Sequence, residues 1–197
     1  MTGEEQRLGL EIYRQLAQGE PVLRSELARA LEAPTDTVDE LLGHPNLKCL
    51  TYTDKQGRII GFGGLAVREM PHRFRIDGRT LYTWCAWDSL FLPSILDLEA
   101  EVDSPAPGGT VRVHLKVAPD GVKEVPTSER RDVVSSSERT HLSSRRSQGD
   151  GKLLPLHLFF PKENAAAWSR SHPDTTVISV SDAFELGRLM VHTRWRS

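Results

Sequence analysis

Leu50-Thr-Tyr-Thr-Asp-Lys-Gln-Gly-Arg-Ile-Ile-Gly-Phe62 decides the architecture of the first third of the chain. Residues 50–53 and 58–62 are rich in β-branched and aromatic side chains, and Asp54-Lys-Gln-Gly57 between them is turn chemistry, so the stretch predicts a hairpin. Upstream, Leu8, Ile12 and Leu16, flanked by Leu10, Tyr13 and Ala17, line one face of a helix over residues 4–18 that Gly19 and Pro21 end. Ser25 is expected to cap a second, short helix carrying Leu27, Ala28 and Leu31. After Pro34, the residues Val38, Leu41 and Leu42 mark a third, ending near Gly43-His44-Pro45. Three helices followed by a hairpin is the order of a winged helix-turn-helix, assigned here to residues 1–66.

That order does not by itself imply DNA binding. A reading helix needs Arg, Lys, Asn or Gln to reach bases and phosphates, and the third helix offers Asp36, Asp39 and Glu40 with no base at all. Residues 1–45 hold nine acids against four arginines, a net charge near -5 that phosphate would repel. The expectation is a packing module with a borrowed architecture and no nucleic-acid partner.

Residues 67–197 read as a mixed α/β domain, making the whole chain α+β. Residues 72–77, His-Arg-Phe-Arg-Ile-Asp, alternate with the period of a strand, and Asp77-Gly78 supplies a turn. Residues 85–96 carry Leu90, Phe91, Ile95 and Leu96 as a buried helix that Pro93 should kink or break. Residues 111–117 alternate most clearly of all; a helix with Ala165, Ala166 and Trp168 is expected over 161–172, and a strand over 176–180. Ser181 is then expected to cap a last helix, with Asp182 and Glu185 as helix-start charges. Between residues 128 and 147, seven serines and the arginines 130, 131, 139, 145 and 146 interrupt any apolar pattern, and the segment 126–152 is expected to be mobile.

Composition narrows the chemistry. The chain has 197 residues, a net charge of -2, and only two cysteines, Cys49 and Cys85, so it has no disulfide framework and no four-cysteine zinc site. The histidines show no metal-binding spacing, which excludes zinc catalysis of the usual pattern. No basic-then-apolar leader opens the sequence, and no run approaches the ~18 apolar residues of a membrane span, so the expectation is a cytoplasmic protein with no membrane partner.

Trp84-Cys-Ala-Trp-Asp88 is the constellation that carries chemistry. At the start of a helix, Cys85 and Asp88 would share a face, and the dipole would lower the thiol pKa. A carboxyl group beside that thiol in an apolar pocket would have its own pKa raised and hold a proton near neutrality. The bland alternative is a buried structural cysteine followed by a capping aspartate. Trp84 and Trp87 read as core residues that also dry the pocket.

Arg79-Thr-Leu-Tyr-Thr-Trp-Cys-Ala-Trp-Asp-Ser-Leu-Phe-Leu-Pro93 closely resembles the organomercurial (alkylmercury) lyase family. So do Pro21-Val-Leu-Arg-Ser-Glu-Leu-Ala28, Asp54-Lys-Gln-Gly-Arg-Ile-Ile-Gly61 and Val177-Ile-Ser-Val-Ser-Asp-Ala-Phe-Glu-Leu-Gly187; the similarity spans residues from about 5 to 118 and from about 159 to 190. The resemblance implies protonolysis of carbon–mercury bonds, giving a hydrocarbon and Hg(II). By motif position it implies Cys85 as a thiolate that takes the soft metal and Asp88 as the acid/base that also helps to hold it. It implies no organic cofactor, a small organometallic substrate, and cellular thiols that remove the product.

One position departs from the family. Its second cysteine lies on a strand reading roughly Phe-Cys-His-x-x-x-Phe-Phe, where this chain has Leu153-Leu-Pro-Leu-His-Leu-Phe-Phe160, with Leu154 at the place of the thiol. The expectation is impaired turnover, or a non-catalytic metal-binding or regulatory protein on the same scaffold. Cys49 and His157 are the substitute donors the sequence offers. Codons that can encode residues 153–158, CTT CTG CCA CTA CAT CTT, would from their second base give Phe-Cys-His-Tyr-Ile-Phe. A pair of compensating frameshifts, near Val134 and near Leu158, would account for the whole stretch.

Overall fold

A computed structural model describes residues 1–106, 112–124, 131–136, 156–161, 168, 170–171 and 175–195. Thr2 opens the first helix, α1 (Gly3–Leu16): its hydroxyl accepts from the Glu5 N–H at 3.2 Å, and the Glu5 carboxylate accepts the Thr2 N–H at 2.6 Å. The expected stripe of Leu8, Ile12, Tyr13 and Leu16 is buried, and Gly19 turns the chain away at φ +90°. The next helix, α2 (Arg24–Ala30), begins one residue before its expected cap Ser25. Leu23 holds the N-cap place, and the Glu26 carboxylate reaches back to its N–H at 3.1 Å, an acceptor at the right offset that Ser25 cannot match from inside the first turn. α3 (Thr35–Gly43) follows Pro34 as expected, and a further single turn, α4 (Pro45–Lys48), starts with Pro45, whose fixed φ suits a first helical position.

The hairpin forms from β1 (Thr51–Thr53) and β2 (Ile59–Phe62). Asp54 accepts the N–H groups of Gln56 and Arg58 at 2.9 Å each, and Gly57 supplies φ +76°. The sheet then continues through β3 (Leu65–Ala66), β4 (His72–Ile76), β5 (Arg79–Thr83), β6 (Ala100–Pro105), β7 (Arg112–Ala118) and β8 (Gly121–Glu124). The eight strands lie in the order β1-β2-β3-β5-β4-β6-β7-β8, all antiparallel. The boundary read at residues 66–67 therefore falls within one sheet. Asp77 and Gly78, at φ +46° and +74°, make the tight β4–β5 turn that their sequence predicts.

Burial alternates as the period requires: His72, Phe74 and Ile76 point inward from β4, and Val113, Leu115 and Val117 from β7. Each such fully buried apolar side chain stabilises the fold by about 1.5–3 kcal/mol. α5 (Asp88–Leu96) packs on this layer and runs through Pro93 without ending there. Proline at that place forfeits only the bond to the Ser89 carbonyl, and burial of Leu90, Phe91 and Leu92 holds the turn together. The helix stops instead at Asp97, which is left-handed at φ +55°.

A second sheet comprises β9 (Arg131–Ser136), β10 (Leu156–Pro161) and β11 (Thr175–Ser179), with β9 in the middle and both pairings antiparallel. Residues 131–136, read from sequence as part of a mobile segment, are thus its central strand, because β10 and β11 satisfy both backbone edges. The rest of 126–152 lies outside the described residues, as do Leu153, Leu154 and Pro155. Of the helix expected over 161–172, Pro161 closes β10, residues 168, 170 and 171 are helical, and Ala165 and Ala166 fall outside.

The last helix, α6 (Val180–Trp195), is capped by Ser179 and not by Ser181. The Ser179 hydroxyl accepts the Asp182 N–H at 3.0 Å and donates to its carboxylate at 2.7 Å; Ser181 is already the second residue inside the helix. Trp195 returns to the N-terminal helix, its ring 5.4 Å from Tyr13 and 6.0 Å from Phe62, so one core runs from α1 through the large sheet to α6. The described chain mixes helices with antiparallel sheets, and none of its described helices is long and apolar enough to cross a membrane.

Candidate active site

β5 ends at Thr83 and α5 starts at Asp88, so the motif cysteine sits in the connection between them. Three bonds fix that connection. The Thr83 hydroxyl donates to the Cys85 carbonyl at 2.9 Å, the Cys85 N–H donates to Asp88 Oδ2 at 2.9 Å, and the Ser89 hydroxyl donates to the Ala86 carbonyl at 2.6 Å. The Cys85 thiol also donates to the Asp88 carboxylate. Cys85 and Asp88 are partly buried while Thr83, Ala86 and Ser89 are fully so.

The tryptophans anchor this connection on both sides. The Trp84 ring lies edge-on to Tyr52 of β1, centroids 4.3 Å apart, over Gly61. The Trp87 Nε1–H donates to the Ala183 carbonyl of α6 at 2.8 Å, and its ring meets Phe91 at 5.5 Å. Gly187 permits that helix contact, since a Cβ there would stand 2.8 Å from the Phe91 Cβ. Both tryptophans are half-buried: Trp87 packs against the core as the sequence reading expected, and Trp84 packs beside it on Tyr52 and Gly61.

The turn between β2 and β3 forms a wall. Gly64 adopts φ +100°, and a Cβ on it would lie 2.6 Å from the Asp88 Cγ and 2.8 Å from its Oδ1. Only glycine satisfies both the backbone angle and this approach. The Gly64 carbonyl accepts the Trp84 N–H at 3.1 Å, and the preceding Gly63 carbonyl accepts the hydroxyl of the buried Tyr13 at 2.9 Å. Sequence reasoning missed Gly63, Gly64, Tyr13 and Thr83 as parts of the site; the Gly63-Gly64 pair between two strands was the available signal.

The electrostatics agree with the sequence for one group and reverse it for the other. Burial pushes Asp88 up to about 6, against the pull of its bonds from the Cys85 thiol and N–H, so the carboxyl titrates near neutrality as expected. Cys85 was expected to have a lowered pKa. Burial and then the Asp88 charge push its thiol well up instead, and α5 begins only three residues later, so Cys85 lies outside its first turn. The resting pair is a thiol bonded to a carboxylate that can accept its proton.

The other candidate donors lie apart from this arrangement or outside what is described. Cys49 is an exposed free thiol at the end of α4, donating to the Asn46 carbonyl at 3.6 Å. His157 is on β10, and its side chain is not among the described ones; Leu154 is not described at all. His72 is buried with Nδ1 2.6 Å from the Ser104 hydroxyl oxygen, and burial, then the Arg112 charge, hold it down at about 4, as a neutral core histidine. Among the described residues no group of three or more His, Cys, Asp or Glu could hold a metal ion.

The family model for alkylmercury lyase matches residues 65–192, which contain Cys85 and Asp88. An alkylmercury lyase of Staphylococcus epidermidis is 35% identical over 178 residues, 90% of this chain and 78% of that protein. One from Streptomyces lividans is 37% identical over 179 residues, 88% and 76%, and one from Pseudomonas putida 36% over 189 residues, 94% and 83%. The crystal structure of the mercury-bound form of MerB2 superposes with a TM-score of 0.73 over 96% of this chain and 91% of that one, at 19% identity, and shows a common fold.

Proposed function

The chain belongs to the alkylmercury lyase family, and from that premise we propose that it cleaves carbon–mercury bonds by protonolysis through Cys85 and Asp88. The observation that carries the proposal is the pair of hydrogen bonds between the two residues: both the thiol and the N–H of Cys85 are donated to one carboxylate, whose pKa burial raises to about 6. An organomercurial is a soft electrophile and Cys85 supplies the soft donor. As the sulfur–mercury bond forms, the thiol proton passes to Asp88 and the substrate's departing ligand leaves with its electron pair. Asp88 then gives that proton to the carbon, the carbon–mercury bond breaks toward carbon, and a hydrocarbon leaves Hg(II) on the sulfur. The freed carboxylate is placed to hold the cation. General acid–base help of this kind is worth about 10²–10⁴ in rate.

Hg(II) on sulfur needs external thiols to remove it, a requirement that the reducing cytoplasm would meet. No resident cofactor enters this scheme. Residues 1–66 are read as a winged helix-turn-helix-like module used for packing: Asp39 of α3 pairs with Arg24 of α2 at 2.8 Å and carries no base toward phosphate.

A second reading rests on the sequence resemblance, which puts Leu154 at the place of the family's second cysteine; one thiolate activates the carbon–mercury bond less than two. The scaffold would then bind mercury without turnover. Incubation with a phenylmercury salt and excess free thiol separates the two. Benzene release abolished by Cys85→Ser and by Asp88→Asn supports the lyase; mercury retained on Cys85 with no benzene supports the scaffold.

A further inference from the structure

We infer that Tyr13, on the N-terminal helix, is a positioning residue for Asp88: its hydroxyl latches the Gly63–Gly64 turn as a wall against the carboxyl group. The inference rests on the reading of Asp88 as the proton carrier and adds to it the part of the chain that holds that carrier in place.

The geometry is a chain of contacts. The Tyr13 hydroxyl donates to the Gly63 carbonyl at 2.9 Å, across fifty residues of sequence. The Gly63 N–H donates to the Leu50 carbonyl at 3.0 Å, and the next carbonyl, of Gly64, accepts the Trp84 N–H at 3.1 Å. The turn is therefore tied to α1, to the end of the α4 segment and to the residue before Cys85. Its α-carbon side faces Asp88 so closely that a methyl group would stand 2.6 Å from the carboxyl carbon. Pressed from that side, the carboxyl is held toward the Cys85 N–H that it accepts at 2.9 Å. Tyr13 has few ways to move: it is 2% exposed, and the rings of Phe62 and Trp195 meet it edge-on at 4.9 and 5.4 Å.

A tyrosine needed only for packing would keep that role as phenylalanine, so the hydroxyl is what the test must isolate. The protein is compared with its Tyr13→Phe variant by amide hydrogen exchange, residue by residue, with no substrate present. Loss of a single hydrogen bond should make the Trp84 and Cys85 amides exchange about fivefold to tenfold faster while the Phe74 amide, deep in β4, keeps its rate. Unchanged exchange at Trp84 and Cys85 overturns the inference. So does an equal acceleration at Phe74, which would mean that the hydroxyl supports the fold at large. Gly64→Ala gives a second, independent reading: with Tyr13 intact, its methyl should displace the carboxyl and accelerate the Cys85 amide by a similar factor, and no acceleration there overturns the wall. Because no readout depends on turnover, a chain that releases no hydrocarbon still decides the question.

Discussion

Cys85 and Asp88 are joined twice, by a 2.9 Å bond from the Cys85 backbone N–H to Oδ2 and by the thiol donated to the same carboxylate. The first bond orders the connection, and the second sets the protonation of both groups. An asparagine at position 88 can still accept the N–H but cannot carry the proton. Asp88→Asn should therefore lower hydrocarbon release about 100-fold or more with the far-ultraviolet circular dichroism unchanged. Full activity in this variant would remove Asp88 from the chemistry.

The raised Asp88 pKa has a stability consequence. Between about 4 and 6 the folded chain holds a proton that the unfolded chain has released, so this group's contribution to stability falls as pH rises through that window. Removing the charge should then help most at neutral pH. Melting curves should show Asp88→Asn more stable than the parent at pH 7, and the gap should close toward pH 4.

His72 has the opposite sign. It is kept neutral by burial, with its pKa lowered from 6.5 to about 4, so the unfolded chain binds the proton first and stability falls as pH drops from 6.5 toward 4. His72→Gln should flatten this acid limb of the melting temperature, measured over the same range. A limb unchanged by the substitution would show that His72 protonates freely in the folded chain.

Position 154 tests the missing thiol. If the family's second cysteine belongs there, Leu154→Cys should raise benzene release from phenylmercury by about tenfold or more, the scale of one added activating group. Cys49→Ser should leave the rate unchanged, since that thiol is exposed and bonded to Asn46. An independent sequence of the gene addresses the frameshift directly: codons that cannot spell Phe-Cys-His in another frame rule it out.

Gly187 lets α6 lie against α5. Gly187→Val would put a side chain on a Cβ only 2.8 Å from the Phe91 Cβ, and overpacking of this kind costs about 1–3 kcal/mol. Chemical denaturation should show that loss, and quenching of tryptophan fluorescence should rise as Trp87 leaves the Ala183 carbonyl.

Local pattern alone carried much of this. Alternation placed β4 and β7, Asp77-Gly78 and Asp54-Lys-Gln-Gly57 placed two turns, and the Trp-Cys-Ala-Trp-Asp string pointed to the family and to the two residues proposed to react. These signals depend on neighbours within a few residues, where periodicity and turn chemistry act. The same range explains the errors at helix starts: Glu26 and Ser179 won the caps because their reach to the free N–H groups is better than that of Ser25 and Ser181.

Tertiary structure decided what spans longer distances. The Cys85 thiol is raised and not lowered because burial and Asp88 outweigh a helix that starts too late to help it. The wall over Asp88 needs Gly64, Trp84 and Tyr13 together, residues separated by twenty to seventy positions whose spacing carries no periodic signal. The sequence by itself determined the family and singled out the pair proposed to react. Only the packed chain decided their protonation and what holds them in place, because desolvation and close approach exist only once distant segments meet.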